Sequence, residues 1–130
     1  MTDSPSRVVG HVVLYIEDNP DNIRLVERLL MSRPTTTLHV ATTAHDGIKA
    51  AVDLAPDLIL LDNRLPDATG SDVLSQLGAS AITSAIPVVI LTGDSDRKTA
   101  DKFLAIGATE FLAKPFDIHE FLAIIDRHLH

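Results

Sequence analysis

Apolar residues in this chain come in blocks. Five short runs, Val12 to Ile16, Leu38 to Ala41, Leu58 to Leu61, Val88 to Leu91 and Phe111 to Ala113, are separated by longer stretches of helical periodicity. A short, wholly apolar run suits a strand buried on both faces of a parallel sheet. Between the runs, Ile23, Val26, Leu29 and Leu30 form one stripe, and Ile48, Ala51 and Val52 a second. Val73, Leu74 and Leu77 form a third, Phe103, Leu104 and Ile106 a fourth, and Ile118, Phe121, Leu122, Ile125 and Leu129 a fifth. Asn19 before Pro20 predicts an N-cap with proline at the first helical position. Gly107 predicts a helix stop. Pro56-Asp57 and Ile86-Pro87 mark strand entries, because the residue before proline avoids the helical region. The order is strand then helix, five times. Repeated β-α-β units require right-handed crossovers, so the expected fold is an α/β sandwich, a parallel sheet with helices on both faces. A length of 130 residues fits one domain. We expect a frayed tail over residues 1–10, polar and without the apolar core of a signal peptide, and a single domain over 11–130.

The polar residues at the ends of these runs carry the chemistry. Glu17 and Asp18 follow the first run, Asp62 the third, Thr92 the fourth and Lys114 the fifth. In an open α/β sheet, ligands bind at the carboxyl ends of the strands. Three carboxylates gathered there repel one another, and a hard divalent cation relieves that repulsion. Mg²⁺ fits, because it takes oxygen ligands and commonly uses one or two carboxylates with water and phosphate oxygens. No histidine or cysteine stands at a strand end, so Zn²⁺ fits poorly. An ammonium and a hydroxyl opposite a metal would bind the oxygens of a transferring phosphoryl group, a reaction that needs mainly positioning and charge neutralisation. A carboxylate can be the nucleophile in such a transfer. Asp62, on the central strand, is the natural acceptor.

Composition narrows the partners. The net charge of -7 argues against direct binding to nucleic acid or to an anionic membrane. No apolar stretch approaches the ~20 residues needed to span a bilayer. The absence of cysteine excludes disulfides and fits a reducing, cytoplasmic setting. His39, His45, His119, His128 and His130 have no ligand-like neighbours in sequence and read as solvated surface, as do Lys98 and Lys102. Ile124 lies off the last stripe and reads as a contact residue.

Taken in order, Glu17-Asp18, Asp62, Thr92 and Lys114-Pro115, with Leu65-Pro66 and Gly70 after Asp62, resemble the motif set of response-regulator receiver domains, from about Val12 to Leu129. The stretch Leu14 to Pro20 is similar to receivers attached to hybrid sensor kinases. The resemblance implies a flavodoxin-like (βα)5 three-layer sandwich with strand order 2-1-3-4-5. It implies that Asp62 accepts a phosphoryl group from a sensor histidine kinase or a histidine phosphotransfer protein, and that the change is read by a downstream protein target. It implies Mg²⁺ bound by Asp18, Asp62 and the backbone carbonyl of Arg64, with Glu17 acting through a metal-bound water. Lys114 would pair first with Asp62 and then with the phosphate. Thr92 would turn inward to the phosphate, and Phe111 would follow it as an aromatic switch. A cis bond before Pro115 is common in the family.

Gly93 departs from the usual small residue after Thr92, often alanine, and is expected to loosen the loop that follows. Arg64 and Asp94 flank the phosphate entrance, and their opposite charges are expected to pair and hinder a hydrolytic water. A metal-dependent phosphatase of the haloacid dehalogenase type is disfavoured, because Arg64 stands where that class needs a second acid. A pseudo-receiver, an interaction module that cannot be phosphorylated, is the remaining alternative, but no member of the motif set is missing. Whether the chain acts as a stand-alone regulator or as a module of a hybrid kinase stays open, as does homodimer formation.

Overall fold

The structure is a computed structural model that describes residues 10–93 and 97–129. The elements run β1 (His11–Ile16), α1 (Pro20–Leu30), β2 (Thr36–Ala41), α2 (Ala44–Leu54), β3 (Leu58–Asp62), α3 (Gly70–Ala79), β4 (Val88–Thr92), α4 (Arg97–Ala105), β5 (Glu110–Ala113) and α5 (Ile118–His128). All strand pairs are parallel and the sheet order is β2-β1-β3-β4-β5. The expected flavodoxin-like three-layer arrangement is therefore present. The tail expectation for residues 1–9 and the surface reading of His130 fall outside the described residues.

The alternation of side chains along each strand divides the core in two. Leu14, Ile16, Ile59, Leu61 and Ile90 point to the face covered by α2, α3 and α4. Val13, Tyr15, Leu58, Leu60, Val89 and Leu91 point to the face covered by α1 and α5. Every residue of β3 from Leu58 to Leu61 is fully buried. Each such side chain contributes roughly 1.5–3 kcal/mol relative to exposure. This two-sided burial is why the central strands read as unbroken apolar runs. β2 is an edge strand, so it is only half covered: Leu38 is half-buried and Val40 exposed. It begins two residues before the apolar run that announced it.

The helix boundaries follow local chemistry. The Asn19 side chain accepts from Asp21 N and Asn22 N, with Pro20 next in line. Thr69 and Asp72 form a reciprocal capping box at the start of α3. Gly107 adopts φ +117, and the N–H of Ala108 reaches back to Phe103 O at 3.0 Å, closing α4 as a Schellman turn. At the end of α2 the left-handed cap is Ala55, with φ 47, an uncommon conformation for a residue with a Cβ.

Some expected packing positions differ. Of the fourth stripe, Phe103 is buried, but Leu104 and Ile106 are exposed. Leu104 faces away from the sheet, and Ile106 lies beyond the last helical residue. Val52 is exposed, because α2 turns Ala44, Gly47 and Ala51 inward. Ile118 is likewise exposed at the start of α5. Ile124 is buried against the α1 and α5 face of the sheet, so it is a core residue and not a contact residue. His128 is also not solvated: its ring nitrogen lies 2.6 Å from Glu110 Oε2, and Arg127 approaches the other oxygen of the same carboxylate. The partner comes from β5, eighteen residues earlier in the chain, and is invisible to local sequence. His39, His45 and His119 are exposed, as are Lys98 and Lys102.

Candidate functional site

The strand register delivers the polar groups to one edge of the sheet. Ile16 lies opposite Leu61, Asp62 opposite Leu91 and Thr92 opposite Ala113. Glu17 and Asp18 therefore leave β1 beside the end of β3, while Lys114 follows the end of β5. All five residues line a cleft of about 660 Å³, with Asn19, Asn22, Asn63, Arg64 and Gly93 completing its wall.

Lys114 organises the cleft. Its Nζ donates to Asp62 Oδ1 at 2.9 Å and to Glu17 Oε1 at 2.9 Å. Glu17 is buried, Asp62 nearly so, and Asp18 is exposed. One ligand oxygen from each of the three carboxylates lies within 4.8 Å of the others. Burial pushes the Asp62 carboxyl above its ordinary range; the Lys114 ammonium opposes this and the Glu17 charge reinforces it. Burial alone would lower the Lys114 ammonium, but its hydrogen bonds and ion pairs with Asp62 and Glu17 outweigh that and hold it above its usual range. One cation thus balances two buried anions and leaves an excess of negative charge. An all-oxygen donor set, one member of it open to solvent, fits a hard divalent cation of the Mg²⁺ type.

The remaining expected residues sit as follows. Thr92 is buried, and its Oγ1 accepts from Asn63 Nδ2 at 3.5 Å. Phe111 is half-buried against the core on the α4 side. The Lys114-Pro115 bond is cis. Arg64 is exposed at the cleft wall, and its backbone N–H reaches Asp62. Asp94 lies outside the described residues, so the expected Arg64–Asp94 pair does too. Gly93 has no atom within 4 Å of where a Cβ would stand and no positive φ. Among the described residues, nothing in the packing requires glycine there.

The loop after Asp62 is tightly held. Arg64 and Thr69 form an antiparallel bridge, and Leu65 N donates to Ala68 O at 3.1 Å. Gly70 N donates to Asn63 O at 2.7 Å. A Cβ on Gly70 would stand 3.1 Å from Asn63 Cα, which accounts for the glycine at this place in the motif. Asp67 reaches out of the loop to the start of α2, accepting from Ala44 N at 2.7 Å and His45 N at 3.0 Å. Those two N–H groups hold its carboxyl below the ordinary range.

Sequence reasoning missed Tyr15, Asn22 and Asn63. Tyr15 is fully buried, and its hydroxyl donates to Glu17 Oε1 at 2.9 Å. Burial and the Glu17 charge push the phenol above its ordinary range. The signal was present: a buried tyrosine hydroxyl needs a partner, and residues two apart on a strand share a face.

Comparison with known proteins gives consistent likenesses. Residues 13–126 match the response regulator receiver domain family. The chain is 30% identical over 115 residues to the hybrid signal transduction histidine kinase D of Dictyostelium discoideum, covering 86% of this chain and 7% of that protein. It is 35% identical over 112 residues to the transcriptional regulatory protein KdpE of Mycobacterium tuberculosis, covering 86% of this chain and 48% of KdpE. The chain thus spans less than half the length of either curated relative. Among solved structures, the receiver domain of the sensor histidine kinase PA1611 from Pseudomonas aeruginosa PAO1, which has a magnesium ion coordinated in its active-site cleft, superposes with a TM-score of 0.83 at 28% identity, covering 92% of this chain and 98% of that one. No helix among the described residues is long and apolar enough to cross a membrane.

Proposed function

The chain belongs to the response regulator receiver domain family of two-component signalling, and on that footing we propose that Asp62 is its phosphoacceptor. The carrying observation is the single ammonium of Lys114 shared at 2.9 Å between Asp62 and Glu17, next to a third, exposed carboxylate at Asp18. In the transfer, an Asp62 carboxylate oxygen attacks the phosphorus of a phosphohistidine. The phosphorus–nitrogen bond breaks and the imidazole leaves with the electron pair. Asp62 is freed to react when Lys114 turns its donors to the incoming phosphoryl oxygens, where charge develops. Asp18 and Asp62, with the Arg64 carbonyl, are the residues we assign to Mg²⁺, and Glu17 supports it through water. The ion would neutralise the phosphoryl oxygens and the excess negative charge of the cleft.

The donor is a histidine kinase or a histidine phosphotransfer protein. The phosphoryl group is read out by a downstream protein that prefers one of two conformations. Thr92 is assigned as the contact that distinguishes them, since a ligand shifts an equilibrium only through differential interactions. Phe111 is assigned to move with it. The domain assists its own phosphorylation and hydrolysis, and Arg64 with Asp94 modulates access of water. The cytoplasm is the setting that supplies the phosphodonor.

The direct test uses acetyl phosphate. Wild type should be modified only with Mg²⁺ present, and Asp62→Asn should not be modified. Equal modification of the variant, read by intact-mass spectrometry, would overturn the assignment. Excess chelator leaving wild type fully labelled would remove the metal.

A further inference from the structure

Glu17 is held by more than its neighbours in the cleft. Its Oε1 accepts from Lys114 Nζ at 2.9 Å, from Tyr15 Oη at 2.9 Å and from Asn22 Nδ2 at 3.4 Å. Its Oε2 accepts from Asn19 N at 3.3 Å. These donors differ in how firmly they are placed. Lys114 is shared with Asp62 and leaves Glu17 under-supported whenever it turns to a phosphoryl group. Asn22 and the Asn19 N–H lie at the longer distances and belong to the half-buried or exposed start of α1. Tyr15 alone is fixed from below. Its ring is fully buried in the middle of β1, in the cluster with Leu58, Leu60 and Phe121, so its hydroxyl cannot follow movements in the cleft.

We propose that Tyr15 is a positioning residue for the cation site: its hydroxyl pins Glu17 in the geometry that supports Mg²⁺, from the core side and independently of Lys114. The inference rests on the metal reading above and deepens it. An outer partner of a metal-supporting group orients it, and losing one typically costs ~10–100-fold in metal affinity. Glu17 would support the ion through water, so the lower end of that range applies. The alternative is that the phenol fills the core and its hydroxyl merely finds the nearest acceptor.

The test is Mg²⁺ binding, measured by isothermal titration calorimetry and by the Mg²⁺-dependent rise in melting temperature. Tyr15→Phe keeps the ring and removes only the hydroxyl. It should weaken Mg²⁺ binding about tenfold, at the lower limit of that same range. Glu17→Gln should also weaken it, and in the Glu17→Gln background Tyr15→Phe should have little further effect, because the hydroxyl acts through the carboxylate. A merely structural role would lower the melting temperature with and without Mg²⁺ alike and leave the affinity unchanged. That result, or additive losses in the double variant, would overturn the proposal. Wild type that binds no Mg²⁺ would overturn the metal reading itself, and this inference with it.

Discussion

Two aspartates bracket the central strand β3, and they lead opposite lives. Asp57 stands just before it, with a half-exposed side chain that accepts from Val12 N at 2.7 Å. Its own N–H donates to Val12 O at 2.8 Å, and the His11 ring lies 4.0 Å from its carboxylate, so it stitches the entry of β3 to β1. Asp62 ends the same strand, nearly buried, facing Lys114 and Glu17. The residue type is the same and the strand is the same. What differs is the company: the Val12 N–H and the His11 ring at one end, a shared ammonium and a second buried carboxylate at the other. The reactivity proposed for Asp62 would therefore be a property of the carboxyl edge of the sheet, where side chains from several strand ends converge.

The comparison can be broken most severely by exchanging roles. Asp57→Asn should be modified by acetyl phosphate at the wild-type rate, whereas Asp62→Asn should show no modification; equal behaviour of the two variants would erase the distinction. Next in size is loss of the shared cation. Lys114→Met leaves Asp62 and Glu17 facing each other without a counter-ion, and removing one partner of a buried pair costs roughly 3–5 kcal/mol. Urea unfolding without Mg²⁺ should show that loss, and added Mg²⁺ should recover part of it. A cost below about 1 kcal/mol, the level of a surface pair, would mean the cleft is far wetter than its geometry implies.

The carboxyl end of the strand should also answer to pH. Asp62 has its carboxyl raised by burial and by Glu17. A raised carboxyl in the folded state means the charged form is disfavoured there, so at neutral pH this group subtracts from stability. The penalty is relieved as pH falls through its raised value and is gone below the unfolded value of about 3.9. Asp62→Asn without Mg²⁺ should therefore melt higher than wild type at neutral pH, with the gap closing on acidification. A variant that melts lower throughout would show that the pairing with Lys114 outweighs burial.

Smaller effects sharpen the picture. Replacing Arg64 and Asp94 together by alanine should hasten decay of the phosphorylated form several-fold, since about 1.4 kcal/mol in a barrier is tenfold in rate. Unchanged decay would take both side chains out of the path of water. Asp57→Ala should cost about 1 kcal/mol of stability, the ordinary net value of one hydrogen bond, with no change in phosphate lifetime.

The parts of this molecule that were legible in sequence are those whose environment is uniform. Leu58 to Leu61 read as a strand because both faces are buried, and Asp62, Thr92 and Lys114 stood out because they interrupt such runs at their ends. β2 extends beyond its apolar run because an edge strand is half exposed and takes polar residues such as Thr36 and Thr37. Leu104 and Ile106 misled because apolarity at helical spacing does not say which side meets the sheet. Ile124 and the His128–Glu110 contact depend on which elements become neighbours. For Tyr15 the strand period alone would have sufficed, had its hydroxyl been asked where it bonds.

Asp67 has a consequence for how such a chain can be recombined. It sits in the loop that follows Asp62, yet it completes the first turn of a helix that precedes β3. The loop is thus not an interchangeable part. A chimaera that imports residues 64–69 from a relative without an acceptor at this place would leave two N–H groups of α2 unpaired by the loop and remove the loop's side-chain tie to that helix. Crossovers before Ala44 or after Asp67 keep donor and acceptor in the same parental block, while those between His45 and Asp67 separate them. The unit of inheritance here is the stretch from the start of α2 to the start of α3, because a single carboxylate ties its two ends together.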